Sequence, residues 1–98
     1  MKKIDAIRKL KQHANAVRGM GATSLYLFGS TVRDEAGISS DLDVFIEYDP
    51  ARHFSLLDLV SIKQFLEEEL AVEVDVTTRN SLHPMLRNEI EQSAVRVF

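Results

Sequence analysis

No cysteine occurs among the 98 residues. That excludes disulfides, cysteine nucleophiles and zinc–thiolate centres, and it fits a cytoplasmic location. No stretch approaches the ~20 apolar residues of a membrane span. The N-terminus, MKKIDAIRKLKQ, carries lysines but lacks the apolar core of a secretory signal, so export is not expected. A surplus of basic charge is missing as well: 12 Lys and Arg stand against 15 Asp and Glu, a net charge of −3. Proteins that grip long nucleic acid by its phosphates usually carry such a surplus. Any nucleic-acid substrate would have to be held by a small local patch or by a partner. Repeats, linkers and low-complexity segments are also lacking. What remains is an ordinary globular composition, 45% hydrophobic and 28% charged, sized for one domain over residues 1–98 because two would each be too small to bury a core.

Hydrophobic spacing divides the chain into elements. Ile4, Ile7, Leu10 and Ala14 recur at helical intervals, predicting a helix from Ile4 to Val17 that Gly19, Met20 and Gly21 break. Ser24 to Phe28 is a short apolar run suited to a buried strand, ending at Gly29-Ser30. Thr31 to Ser40 reads mostly as loop. Asp41 to Tyr48 reads as a second strand, with Leu42, Val44 and Ile46 on one face and Asp41, Asp43, Phe45 and Glu47 on the other. Asp49-Pro50 closes it.

Ser55 is a suitable N-cap, with Asp58 as the acidic member of a capping box. The helix it starts should reach about Leu70, turning Leu56, Leu59, Val60, Phe65 and Leu66 inward. Ala71 to Val76 alternates as a third strand. Pro84 suits the first turn of a last helix near Met85 to Gln92, and Val95 to Phe98 can add an edge strand. The order predicts an α/β (α+β) domain, a small mixed sheet with helices packed on it.

Three features carry chemistry. Gly29-Ser30 follows a strand directly. Glycine lets the backbone bend sharply and approach a ligand, while free N–H groups and the serine hydroxyl suit phosphate oxygens. Alone, a Gly-Ser turn is usually only a turn. Asp41 and Asp43 sit at i and i+2 of a strand, on one face, with Cα atoms roughly 6.5–7 Å apart. Like charges so placed repel, and aspartate is a poor strand former. A divalent cation removes that cost, and oxygen-only ligands favour Mg²⁺ or Mn²⁺. Alone, the pair would usually mark a solvated sheet edge. Asp75 is central in the third strand, Val72-Glu73-Val74-Asp75-Val76. Solvent exposure would explain it alone. If its strand lies beside Asp41–Tyr48, it completes three carboxylates, enough for two metal ions ~3.5–4 Å apart.

Together these residues resemble the nucleotidyltransferase superfamily of DNA polymerase β: Gly-Ser, a spacer of about ten residues, Asp-x-Asp, and a third Asp on a later strand. The spacer here, Thr31 to Ser40, is ten residues. At ordinary residue frequencies the four fixed positions recur by chance in roughly one chain in a thousand of this length. The run Leu25-Tyr26-Leu27-Phe28-Gly29-Ser30, then Arg33, Glu35-Ala36 and Ser40-Asp41-Leu42-Asp43, and the tail Leu82-His83-Pro84, look like the minimal nucleotidyltransferases (MNT) of bacteria and archaea. One departure is Asp34, where many relatives carry Gly; it adds negative charge near a phosphate site.

The resemblance implies a polymerase β-like fold and a set of roles. Asp41 and Asp43 would hold Mg²⁺ (two ions during catalysis, Mn²⁺ as an alternative) against a nucleoside triphosphate, with ATP expected as substrate. Gly29 and Ser30 would contact the β- and γ-phosphates, with Arg33 as a further candidate. Asp75 would hold the second metal and help deprotonate the attacking hydroxyl. Minimal nucleotidyltransferases are often paired with a HEPN-domain ribonuclease toxin, acting as its antitoxin by complex formation and by adding AMP to a tyrosine. That is the reading adopted. Its rivals are a small-molecule or RNA nucleotidyltransferase, acting as an oligomer that builds its acceptor pocket between subunits, a non-catalytic module that blocks a partner sterically, and a structural domain with incidental aspartates.

His13, His53 and His83 share no spacing that suggests a metal site and read as surface or capping residues. Glu67-Glu68-Glu69 reads as a solvated face, and the basic segment Met1 to Gln12 as a solubility feature. Phe54, Phe65 and Phe98 belong to core or interface.

Overall fold

The computed structural model describes residues 2–29, 31–32 and 42–98. The chain runs α1 (Lys3–Gln12), α2 (Ala14–Gly19), β1 (Ala22–Phe28), β2 (Leu42–Tyr48), α3 (Leu56–Leu70), β3 (Val74–Thr78), a 3-10 turn (Arg79–Ser81), α4 (Pro84–Ser93) and β4 (Val95–Arg96). The sheet order is β3-β2-β1-β4. β1 pairs antiparallel with β2 and with β4, while β2 and β3 run parallel. The mixed sheet with its helices is the expected architecture, and β4 is the expected edge.

Alternation builds two unlike faces. Leu25 and Leu27 of β1, Leu42, Val44 and Ile46 of β2, and Val74 of β3 are buried against Ala6, Leu10 and Val17 of α1–α2 and Ile62, Leu66 and Leu70 of α3. This is the main core. The opposite face carries Ser24, Tyr26 and Phe28 of β1 with Asp43, Phe45 and Glu47 of β2. Phe45 is buried there too, because Tyr26 stacks on it at 4.7 Å between ring centres and Phe28 tilts against it at 5.7 Å.

Local signals set most boundaries. Ser55 and Asp58 form the full capping box, with Ser55 N donating to Asp58 Oδ2 at 2.8 Å. Pro84 occupies the first turn of α4, and His83 Nδ1 accepts from Met85 N at 3.2 Å, a capping role. Asp49 Oδ1 accepts from Ala51 N at 2.9 Å just after β2 ends.

Four expectations need correction. The first helix is two: at His13 the backbone leaves the helical basin (φ −104°, ψ 10°), and the imidazole meets the Phe65 ring edge-on at 5.5 Å. Packing on α3 thus overrides the continuous helical pattern. In α3 the inward stripe is Leu59, Ile62, Leu66 and Leu70, flanked by Phe65; Leu56 and Val60 lie off it, 74% and 39% exposed. The third strand starts at Val74, because Ala71 closes α3 in the left-handed conformation (φ 57°, ψ 33°) and uses residues 71–73 in the turn. Finally, Glu67 is not merely a solvated charge. Its Oε2 accepts from Val74 N at 3.1 Å, while Lys63 Nζ donates to Val74 O at 2.7 Å and to Glu67 at 3.2 Å. Two side chains of α3 therefore hold the first residue of β3 by its backbone.

Candidate functional site

The sheet brings the chemistry-bearing residues into one row. Phe28 pairs with Asp43, and Asp43 pairs with Asp75. Directly paired residues project to the same face, about 4.8 Å apart from strand to strand. The two carboxylates therefore stand side by side on the second face, Asp43 half-buried and Asp75 exposed. Gly29 ends β1 beside them with φ +81°, and Val32 N donates to its carbonyl at 3.2 Å, closing a tight turn. A Cβ built on Gly29 would lie 2.5 Å from Asp43 Oδ2. Only glycine lets the turn and the carboxylate approach this closely. At the same turn Thr31 is buried, and its hydroxyl has no hydrogen-bond partner among the described residues.

Of the residues expected in the site, Gly29, Asp43 and Asp75 are thus assembled. Ser30, Arg33 and Asp41 lie outside the described residues, as does Asp34. Among the described residues no three His, Asp or Glu side chains cluster; the pair that does form is the one Asp41 was expected to join. No helix there is long and apolar enough to cross a membrane.

A second cluster on this face went unnoticed in the sequence. The Arg79 guanidinium pairs with Glu47 at 3.2 Å and with Glu91 of α4 at 3.3 Å, and it lies over the rings of Tyr26 and Phe45 at 5.5 and 5.8 Å. Period-two spacing continued past Asp75 through Thr77 would have placed Arg79 on this face. Since α4 buries no residue of its own, the Arg79–Glu91 pair is a principal tie between that helix and the sheet. Arg79→Met, which keeps bulk over the rings and removes the charge, is expected to lower the urea midpoint and speed amide exchange in α4 more than in α3. Equal exchange in both helices would dismiss the tie.

The same cluster sets an acid sensitivity. Glu47 is held below its ordinary value of 4.5, first by the Ser24 hydroxyl, which donates at 2.8 Å, then by Arg79. Glu91 is lowered by Arg87 and then Arg79, and Glu67 by the Val74 N–H and then Lys63. Carboxylates with depressed folded values stabilise the protein above their unfolded value, and that contribution is lost as pH falls through the folded values. Stability should therefore be flat near neutrality and decline below about pH 4.5. Glu47→Gln should flatten the decline in urea melts taken from pH 6 to about pH 3; an unchanged slope would remove Glu47 from the account.

The nucleotidyltransferase domain family model matches residues 8–97. A Methanocaldococcus jannaschii protein described as a candidate protein adenylyltransferase, MJ0435, is 46% identical over 78 residues, covering 80% of this chain and 82% of that protein. A solved candidate minimal nucleotidyltransferase superposes with a TM-score of 0.80 at 31% identity, covering 97% of this chain and 95% of that one. A chain from the complex of tri-AMPylated Shewanella oneidensis HEPN toxin with MNT antitoxin shares the fold, with a TM-score of 0.64 at 18% identity over 90% of this chain and 68% of that one. The family model spans nearly the whole chain, and the fold is that of the solved minimal enzyme: the chain belongs to the nucleotidyltransferase family, as an enzyme of its minimal kind.

Proposed function

We propose that this nucleotidyltransferase moves AMP from ATP, with Mg²⁺, onto a hydroxyl of a partner protein, and that it serves as the antitoxin of a HEPN-domain toxin. The observation that carries the reading is the in-register pairing of Asp43 with Asp75 beside Gly29. Two carboxylates held side by side repel, and the glycine presses a turn against one of them. A divalent cation suits that donor set, since hard cations prefer carboxylate oxygen. Asp43 and Asp75, joined by Asp41, would hold it, and bound metal would supply charge neutralisation for the triphosphate.

The protein's own part follows. The turn from Gly29 through Ser30, with Arg33, would orient the β- and γ-phosphates. Asp75, the more exposed of the pair, would accept the proton of the incoming hydroxyl. The hydroxyl oxygen bonds to the α-phosphorus as the bond to the bridging oxygen of the β-phosphate breaks, releasing pyrophosphate. The protein acceptor is supported by the relative described as a candidate protein adenylyltransferase and by the neighbour found with an AMPylated toxin. The net charge of −3 gives no broad basic surface for RNA.

The test is label transfer from α-³²P-ATP in lysate of the source cells, with Mg²⁺ and with EDTA. A labelled protein band that needs Mg²⁺ supports the reading and gives the acceptor's mass. Label confined to RNA or small molecules would replace the protein acceptor, and no transfer at all would leave a binding module that blocks its partner.

A further inference from the structure

β3 is the outermost strand of the sheet and, among the described residues, pairs only with β2. One bond fixes which way its backbone groups point. Leu42 N donates to Glu73 O at 3.0 Å, while Leu42 stands opposite Val74. In a parallel ladder alternate residues turn both backbone groups to the same neighbour. Glu73, Asp75 and Thr77 therefore face β2, and Val74, Val76 and Thr78 face away. Val74 bears the alternation out, since its N–H and C=O are the groups taken by Glu67 and Lys63. The outward groups of Val76 meet no partner among the described residues, and Thr78 O receives only a 3.5 Å contact from Thr77 Oγ1. A short length of open edge thus lies beside Asp75, closed at one end by α3 and ended at the other by the turn at Arg79.

The place of this edge bears on what fits it. In the proposed reaction, on which this inference rests, the Gly29 turn orients the outer phosphates and Asp75 accepts the proton of the incoming hydroxyl. Across the sheet the order is Phe28, Asp43, Asp75, with Gly29 following Phe28. In phosphoryl transfer the attacking and leaving oxygens stand roughly in line. With pyrophosphate leaving on the β1 side, the hydroxyl arrives on the side of Asp75 away from Asp43, where the edge is open. A strand laid there would run about 4.8 Å from β3, and its residue opposite Asp75 would project onto the face that carries both carboxylates. Strand addition draws affinity from main-chain bonds and specificity from alternate side chains. RNA and small alcohols lack such a main chain, so the edge suits a protein acceptor.

We infer that the outer edge of β3 at Val76 and Thr78 is the acceptor-docking site: a short extended segment of the partner protein adds to the sheet there and presents a hydroxyl-bearing side chain opposite Asp75. Lys63 and Glu67, by occupying Val74, stop that segment from sliding towards the start of β3. They thereby set the register, which decides which side chains reach the reacting face.

Thr78→Pro tests this. Thr78 has φ −93° and ψ 154°, near the roughly −65° φ of a proline ring, and its N–H faces away from β2. Proline removes that N–H and fills the space a paired strand needs. In source-cell lysate with α-³²P-ATP and Mg²⁺, protein labelling should fall at least about tenfold, while calorimetric affinity for ATP with Mg²⁺ stays within about twofold of wild type. Ser81→Ala breaks the same Thr78 Oγ1–Ser81 Oγ bond of 2.8 Å and spares the edge, so it should label as wild type does. Unchanged labelling by Thr78→Pro, or an equal fall in Ser81→Ala, overturns the assignment. A wild-type dimer in sedimentation that Thr78→Pro dissolves also overturns it, by giving the edge to a second copy. If Thr78→Pro fails to bind ATP, Val76→Pro, which removes the neighbouring outward N–H, is judged by the same criteria. The parent reading fails separately: a wild type that labels no protein removes protein acceptor and docking edge together, whereas a protein band that the proline variants still label removes the edge alone.

Discussion

Asp43→Asn is expected to unfold close to the wild-type urea midpoint and to transfer nucleotide at least about 10²–10³-fold more slowly, the usual cost of removing one element of a preorganised electrostatic site. The reasoning rests on position. Asp43 projects from β2 beside Asp75 on β3, and asparagine keeps its shape while removing one of two adjacent like charges. The change in stability should therefore stay within about 1 kcal/mol. Paired urea melts and α-³²P-ATP transfer assays decide it. Retained transfer would place the chemistry elsewhere, and a loss of more than about 3 kcal/mol would mean that Asp43 acts as a structural residue.

Gly29→Ala should damage fold and activity together. The left-handed φ of +81° costs a residue with a Cβ about 1–2 kcal/mol. The new methyl would also stand 2.5 Å from Asp43 Oδ2, which no relaxed structure tolerates, so turn or carboxylate must move. Stability should fall by about 1–3 kcal/mol and transfer by more than about tenfold, since small misplacements at a reacting centre are costly. The two components can be separated. In an Asp43→Ala background the nearest Asp43 side-chain atom left is Cβ, at 3.3 Å, so the added stability penalty of Gly29→Ala should shrink towards its backbone part. Full penalty in that background would show that Gly29 is needed for its φ alone.

Much of this molecule can be read from local pattern. The capping box at Ser55, the proline at the start of α4 and the alternation of β2 are interactions between residues within a few positions of one another, and the sequence displays them directly. The Gly29-Ser30 to Asp41-x-Asp43 spacing exposed the family for a similar reason. What stayed hidden depends on contacts distant in sequence. That Asp75 stands in register with Asp43 follows from parallel pairing across more than thirty positions; the sequence allows that pairing without requiring it. The break at His13 coincides with an edge-on contact to Phe65 of α3, more than fifty positions away. Arg79 was overlooked because its partners Glu47 and Glu91 come from two other elements.

The hold of Lys63 and Glu67 on Val74 has a consequence for behaviour in concentrated solution. β3 lies at one margin of the sheet, and a bare margin invites a strand from another molecule, the route to fibres and disordered aggregates. Here the first N–H and C=O of that margin are occupied by α3. The opposite margin is the two-residue β4, too short to template a long pairing. Lys63→Ala with Glu67→Ala would uncover the carboxylate-bearing strand. Self-association would then grow along the very strand that presents Asp75, coupling the protein's solubility to the accessibility of its reacting face.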